Sequence, residues 1–184
     1  VDLIGGSHWH GGLYGNYLWG RTRDELGRRL GGIVEPLSPR IQGGGYLQYQ
    51  ADRRLSLGVQ LSHDTAGAGA YLRFYADYAL PKIGYIEHEL ELQWQAMNAP
   101  AMRRYFGLDA SQAAALGTPS WQPGEGAELA RLEYDAFVPT SLHTGFALSI
   151  GYGRLYGQAG DSPLVTRYGA RDQVTEGLAF VYHF

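Results

Sequence analysis

The chain has 184 residues and a formal net charge of -3, a length suited to one domain and a charge that excludes a general nucleic-acid binder, which would be basic. Only 18% of its residues are charged, below the usual quarter, while 27 are glycine and 14 tyrosine, so an ordinary solvated surface is not expected. No stretch approaches the roughly 18 consecutive apolar residues of a membrane helix, and the absence of cysteine excludes disulfides and cysteine-based zinc sites or nucleophiles.

Mean hydropathy is slightly negative, which a closed barrel tolerates because its strands alternate apolar and polar residues. In chain order, the first alternating segment sets Trp9, Leu13, Tyr17 and Trp19 against His10, Tyr14 and Asn16. A long connection at about 21–38 follows. Leu47 and Tyr49 then alternate with Tyr46, Gln48 and Gln50, and beyond the short turn "ADRR", with Asp52, Arg53 and Arg54, Leu55, Leu57, Val59 and Leu61 alternate with Ser56, Gln60 and Ser62. After a connection near 64–68, Leu72, Phe74, Tyr78 and Leu80 oppose Tyr71, Arg73, Tyr75 and Asp77.

The turn "LPKIG", with Lys82, leads into the most polarised segment: Ile86, Leu90, Leu92 and Trp94 share one face, while Glu87, Glu89, Glu91, Gln93 and Gln95 share the other. Period 3.6 would not sort these residues so cleanly. A long connection at 97–127 precedes Leu132, Tyr134 and Val138, which alternate with Arg131, Glu133 and Asp135. The turn "VPTS", with Pro139, joins this to "SLHTGFALSIGY", and a connection at 156–172 ends in "GLAFVYHF". A one-residue slip in any of these would reverse its faces.

These segments predict a single all-β domain over residues 1–184, a transmembrane up-and-down antiparallel β-barrel of about eight strands. Short turns are expected on the periplasmic side and long loops outside, with interfacial aromatics such as Tyr17, Trp19, Trp94 and Tyr182 near strand ends. A soluble sandwich or lipocalin-type barrel would turn the Trp, Tyr, Phe and Leu face inward and leave an exterior crowded with Gly, Ala and Ser.

The expected lumen carries Asp77, Glu87, Glu89, Glu91, Glu133 and Asp135 against Arg73 and Arg131. If the "LPKIG" hairpin brings Arg73 near Glu91, packed ion pairs block the tube; the alternative is a cation-preferring passage through an acidic constriction. A glycosidase would need two acids facing each other across a sugar-sized cleft, whereas three acids at alternate positions of one strand repeat every ~7 Å along it. No catalytic residue is therefore expected. His8, His10, His143 and His183 fall at the periplasmic mouth, where polar filling accounts for them without a metal, and no cofactor is expected. In "SHD" at 62–64, Ser62 and His63 point to opposite faces. Loop arginines at 21, 23, 28, 29, 103, 104, 167 and 171 are either solvated or face lipopolysaccharide phosphates.

The ending "TEGLAFVYHF" resembles the C-terminal signal by which bacterial outer-membrane proteins are inserted, carried here by Thr175, Gly177, Phe180, Tyr182 and Phe184. "GQAGDSPLVTRYGARDQ" and "YFGLDASQAAALGTPSWQPGEG" together resemble the MipA/OmpV family. That resemblance implies an outer-membrane barrel among lipid and lipopolysaccharide, inserted by the barrel-assembly machinery. It further implies a scaffold for a lytic transglycosylase and a penicillin-binding murein synthase. The carrier surface would be Asp52, Arg53, Arg54, Lys82 and Pro139. The alternative is a small porin-like channel. Family members are usually longer at the N-terminus, so either eight strands close this barrel or it lacks N-terminal strands.

Overall fold

The computed structural model describes residues 1–65 and 67–182. The described residues form a nine-stranded antiparallel meander: β1 (Asp2–Gly5), β2 (Trp9–Leu18), β3 (Arg40–Gln50), β4 (Leu55–Asp64), β5 (Ala70–Ala79), β6 (Glu87–Met97), β7 (Gly126–Pro139), β8 (Thr144–Leu155) and β9 (Asp172–Tyr182). Every strand pairs with its neighbour in sequence, as hairpin connections dictate. Among the described residues, five helices lie in the long connections: α1 (Arg23–Leu30), α2 (Ala99–Phe106), α3 (Ala110–Leu116), α4 (Gly157–Gly160) and α5 (Pro163–Tyr168). None of the described helices is long and apolar enough to cross a membrane.

Two strands differ from expectation. β1 has no alternation to announce it; its four residues join the sheet through Gly11 and Gly12 of β2, with an irregular register between Asp2 and Ile4. β3 begins at Arg40, well before Tyr46, because Gly43, Gly44 and Gly45 carry the ladder without side chains to show a pattern. At Gly44 a Cβ would lie 2.3 Å from the Leu61 carbonyl oxygen, so the close approach of β3 to β4 there requires glycine. Of the two alternatives for the last strand's partner, the strand at Trp9 does not pair with it: β1 occupies that side of β2, and no ladder joins β1 or β2 to β9 among the described residues. Both are sheet edges, and β9 is exposed on both faces.

The sheet is inside out relative to a soluble barrel. Leu13, Leu57, Leu61, Leu92, Ile150 and Leu178 on the apolar face are each exposed, as are aromatic pairs such as Phe74–Trp94 and Phe146–Phe180, with ring centroids 5.7 and 5.6 Å apart. The opposite, polar face is the concave one, since residues from β2 and from β7 line a common chamber.

The buried apolar core lies in the helical connections instead. Met97, Ala101, Met102, Phe106, Leu155, Ala159 and Val165 form one cluster; Val34, Leu108 and Ala113 form a second. Local signals explain the helices. Asn98 caps α2 by accepting from the Ala101 N–H, with Pro100 in the first turn. Asp109 and Gln112 form a reciprocal capping box on α3, and Gly117 ends it at φ 62°. The connections then interlock: Ser162 Oγ donates to the Phe106 carbonyl at 2.7 Å, and Trp121 Nε1 to the Gln158 carbonyl at 3.1 Å.

Candidate functional site

Antiparallel register turns the polar face into transverse layers, because directly opposed residues share a face. One layer runs Asp77, Glu91, Glu133 across β5, β6 and β7; the next, toward the short turns, runs Glu89, Asp135, Ser149. Like charges thus stand side by side, which is unfavourable without counter-charge. Arg73 supplies it in an ion pair with Glu91, and Arg131 Nη1 lies 3.2 Å from Glu133 Oε2. Ser56 Oγ donates to Asp77 Oδ2 at 3.1 Å, and Arg131 Nη2 donates to Thr175 Oγ1 at 2.7 Å. Small residues make the space: at Gly151 a Cβ would meet Thr175, Glu133 and Arg131 at 2.7–3.3 Å.

Glu87 is not part of this group. It is exposed at the turn end of β6, where its carboxylate pairs with Lys82, so one expected lumen residue is a rim residue and contributes little as a surface pair. The acids lie on the neighbouring strands β5, β6 and β7, and among the described residues no three His, Asp or Glu side chains gather in a metal-ligand group. His8 and His143 are exposed, and His183 lies outside the described residues.

At the opposite end, sequence reading missed the most buried charge cluster. The Asp64 side chain is 0% exposed and accepts from Arg40 Nε at 2.9 Å, Arg104 Nη1 at 2.6 Å and the Tyr71 hydroxyl at 2.6 Å. Arg40, itself 2% exposed, also hydrogen-bonds Tyr105, and its guanidinium sits 5.2 Å from the centre of that ring. Since Arg104 and Tyr105 belong to α2, this cluster bolts the helical cap to β3, β4 and β5. Hairpin arithmetic about "ADRR" would have found it: the register places Gln42 opposite Asp64, beside Arg40.

The short turns are built by their own polar side chains. Asp52 Oδ1 accepts from the N–H groups of Arg54 and Leu55 at 2.6 and 2.9 Å, holding its carboxyl below the usual aspartate range. Because the folded value is depressed, this contribution is present above the ordinary aspartate pKa and lost as pH falls through the folded value. Amide resonances of Arg54 and Leu55 are expected to shift together below about pH 4; shifts centred at or above the ordinary value would contradict the contact. Asp52 is thus committed to the turn, whereas Arg53, Arg54 and Lys82 remain exposed.

Of the expected insertion signal, Thr175 and Gly177 pair across β8–β9 with Gly151 and Ser149 on the polar side, and Phe180 and Tyr182 lie on the apolar side. Phe184 lies outside the described residues. Of the loop arginines, Arg171 Nη2 pairs with Asp161 at 2.6 Å and Arg167 donates to the Gly117 carbonyl, whereas Arg23, Arg28, Arg29 and Arg103 are exposed.

The family model described as MltA-interacting protein MipA matches residues 1–184. No curated protein and no solved structure matches the chain.

Proposed function

Because the chain belongs to the MipA family over its whole length, we propose that it is a bacterial outer-membrane barrel acting as a non-enzymatic scaffold. It would hold a lytic transglycosylase of the MltA type, and with it a penicillin-binding murein synthase, at the periplasmic face. The family match carries this reading, since fold alone does not specify function. The exposed apolar face supports the membrane setting, because so wide a surface would drive association in water and is matched by hydrocarbon. Phe180 and Tyr182 would serve the barrel-assembly machinery, and exposed Arg23, Arg28, Arg29 and Arg103 would meet lipopolysaccharide phosphates.

A binding role is favoured over passage because the arginines of the polar face are paired with neighbouring acids, Arg73 with Glu91 and Arg131 with Glu133, and a packed apolar cluster lies among the connections at the other end. The chain is expected to give no stable conductance steps in a planar bilayer; steady steps whose ion selectivity changes in Glu89→Gln would overturn the scaffold reading. The carrier surface is the rim of short turns, where Arg53 and Arg54 are exposed and present positive charge. In a pull-down with purified transglycosylase, Arg53→Glu with Arg54→Glu is expected to reduce capture at least tenfold, by the like-charge logic of a reversed rim. Undiminished capture would move the carrier surface elsewhere.

A further inference from the structure

Between the acidic layers and the helical cap lies a chamber of about 540 Å³, within the roughly 300–1,000 Å³ usual for small-molecule sites. We propose that this chamber binds a neutral, polyhydroxylated small molecule of disaccharide size. This goes beyond the scaffold reading and does not depend on it.

The lining chooses the chemistry. Four glutamine amides, Gln42, Gln60, Gln93 and Gln95, and the amide of Asn16 converge on the chamber from β2, β3, β4 and β6. Each amide offers donors and an acceptor on adjacent atoms, which matches vicinal hydroxyls, themselves both donors and acceptors. Gln60 and Gln93 are engaged, accepting from Arg73 Nη1 at 3.4 Å and Gln95 Nε2 at 3.0 Å. The side chains of Gln42 and Asn16 have no hydrogen-bond partner among the described residues.

Charge is cancelled rather than offered. The two arginines in the wall, Arg73 and Arg131, are paired with Glu91 and Glu133, so an anion gains no free cation there. Yet Nε of each arginine is buried without a partner among the described residues, and such a donor favours an acceptor oxygen that brings no charge of its own. Tyr14, Tyr71 and Tyr105 add aromatic surface, with Tyr105 reaching in from the cap. Tyrosine faces suit the apolar C–H side of a sugar ring while their hydroxyls remain polar. An apolar ligand would strand the amides, and a charged one would have to break an ion pair.

The test uses the full chain in lauryl dimethylamine oxide, a detergent with no sugar head group to compete. Maltose, sucrose, trehalose and N,N′-diacetylchitobiose are titrated by calorimetry and saturation-transfer NMR, beside glucosamine and glucuronate as charged controls. At least one disaccharide is expected to bind saturably and at least tenfold more tightly than either control. Gln42→Leu is expected to weaken that binding at least tenfold while retaining the wild-type heat-modifiable mobility. Asn16→Leu is a second variant with no internal hydrogen bond to lose. Absence of saturable binding by all four sugars, equal binding of the charged controls, or full affinity in both folded variants would overturn the proposal.

Discussion

Asp64→Ala is expected to release the helical cap at a cost of about 3–5 kcal/mol, the range for removing one partner of a buried charge group. The reason is asymmetric. Arg104 is 25% exposed and can turn to water, but Arg40 is 2% exposed and would be left charged in a closed site, with the Tyr71 hydroxyl also losing its acceptor. Trypsin cleavage at Arg103 or Arg104, and faster amide exchange across α2, should appear at temperatures where the wild type resists both. The double change Arg40→Met with Asp64→Leu removes the buried charge together with its partner and is expected to recover much of the loss. If Asp64→Ala leaves cap proteolysis unchanged, the cluster does not fasten the cap.

Met102→Ala is the second large effect, about 2–5 kcal/mol for a fully buried methionine. Met102 is 0% exposed at the centre of the cluster formed by Ala101, Phe106, Leu155, Ala159 and Val165. Those partners come from α2, the end of β8, α4 and α5, so a void there loosens two connections at once. Far-ultraviolet circular dichroism from the strands should persist while exchange accelerates over Ala99–Phe106 and Pro163–Tyr168. Because Arg104 and Met102 share α2, the two substitutions should combine non-additively, the second costing less once the first has freed the helix. Unchanged exchange in the cap would show that this cluster is not what holds it.

Both sites lie where local sequence pattern is least informative. The strands were legible because period two is written in every residue: Glu89 and Glu91 against Leu90 and Leu92 fix a face whatever the neighbours do. The charge layers followed in part, since Arg73 and Glu91 come together once the "LPKIG" hairpin is in register. Glu87 was misplaced because alternation gives a side but not a depth, and this residue lies at the rim beside Lys82. The helices were hidden in connections read for glycine and proline, although Asn98-Ala-Pro and Asp109-Ala-Ser-Gln carry capping signals that could have been found. In "SHD", the informative feature of Asp64 is its inward position in line with Ser62 and Gln60.

The sequence by itself determined the all-β meander, the face each strand turns to its surroundings and the family, since alternation and short turns are local and leave one arrangement of neighbours. Only the tertiary structure decided that the apolar core is built from the long connections, that Asp64 binds Arg40 and Arg104, and that five amides converge on one chamber. These depend on contacts between residues such as Asp64 and Arg104, 40 positions apart. Such contacts arise when the curl of the sheet brings separate strands and connections to one point, and no periodicity along the chain encodes that curl.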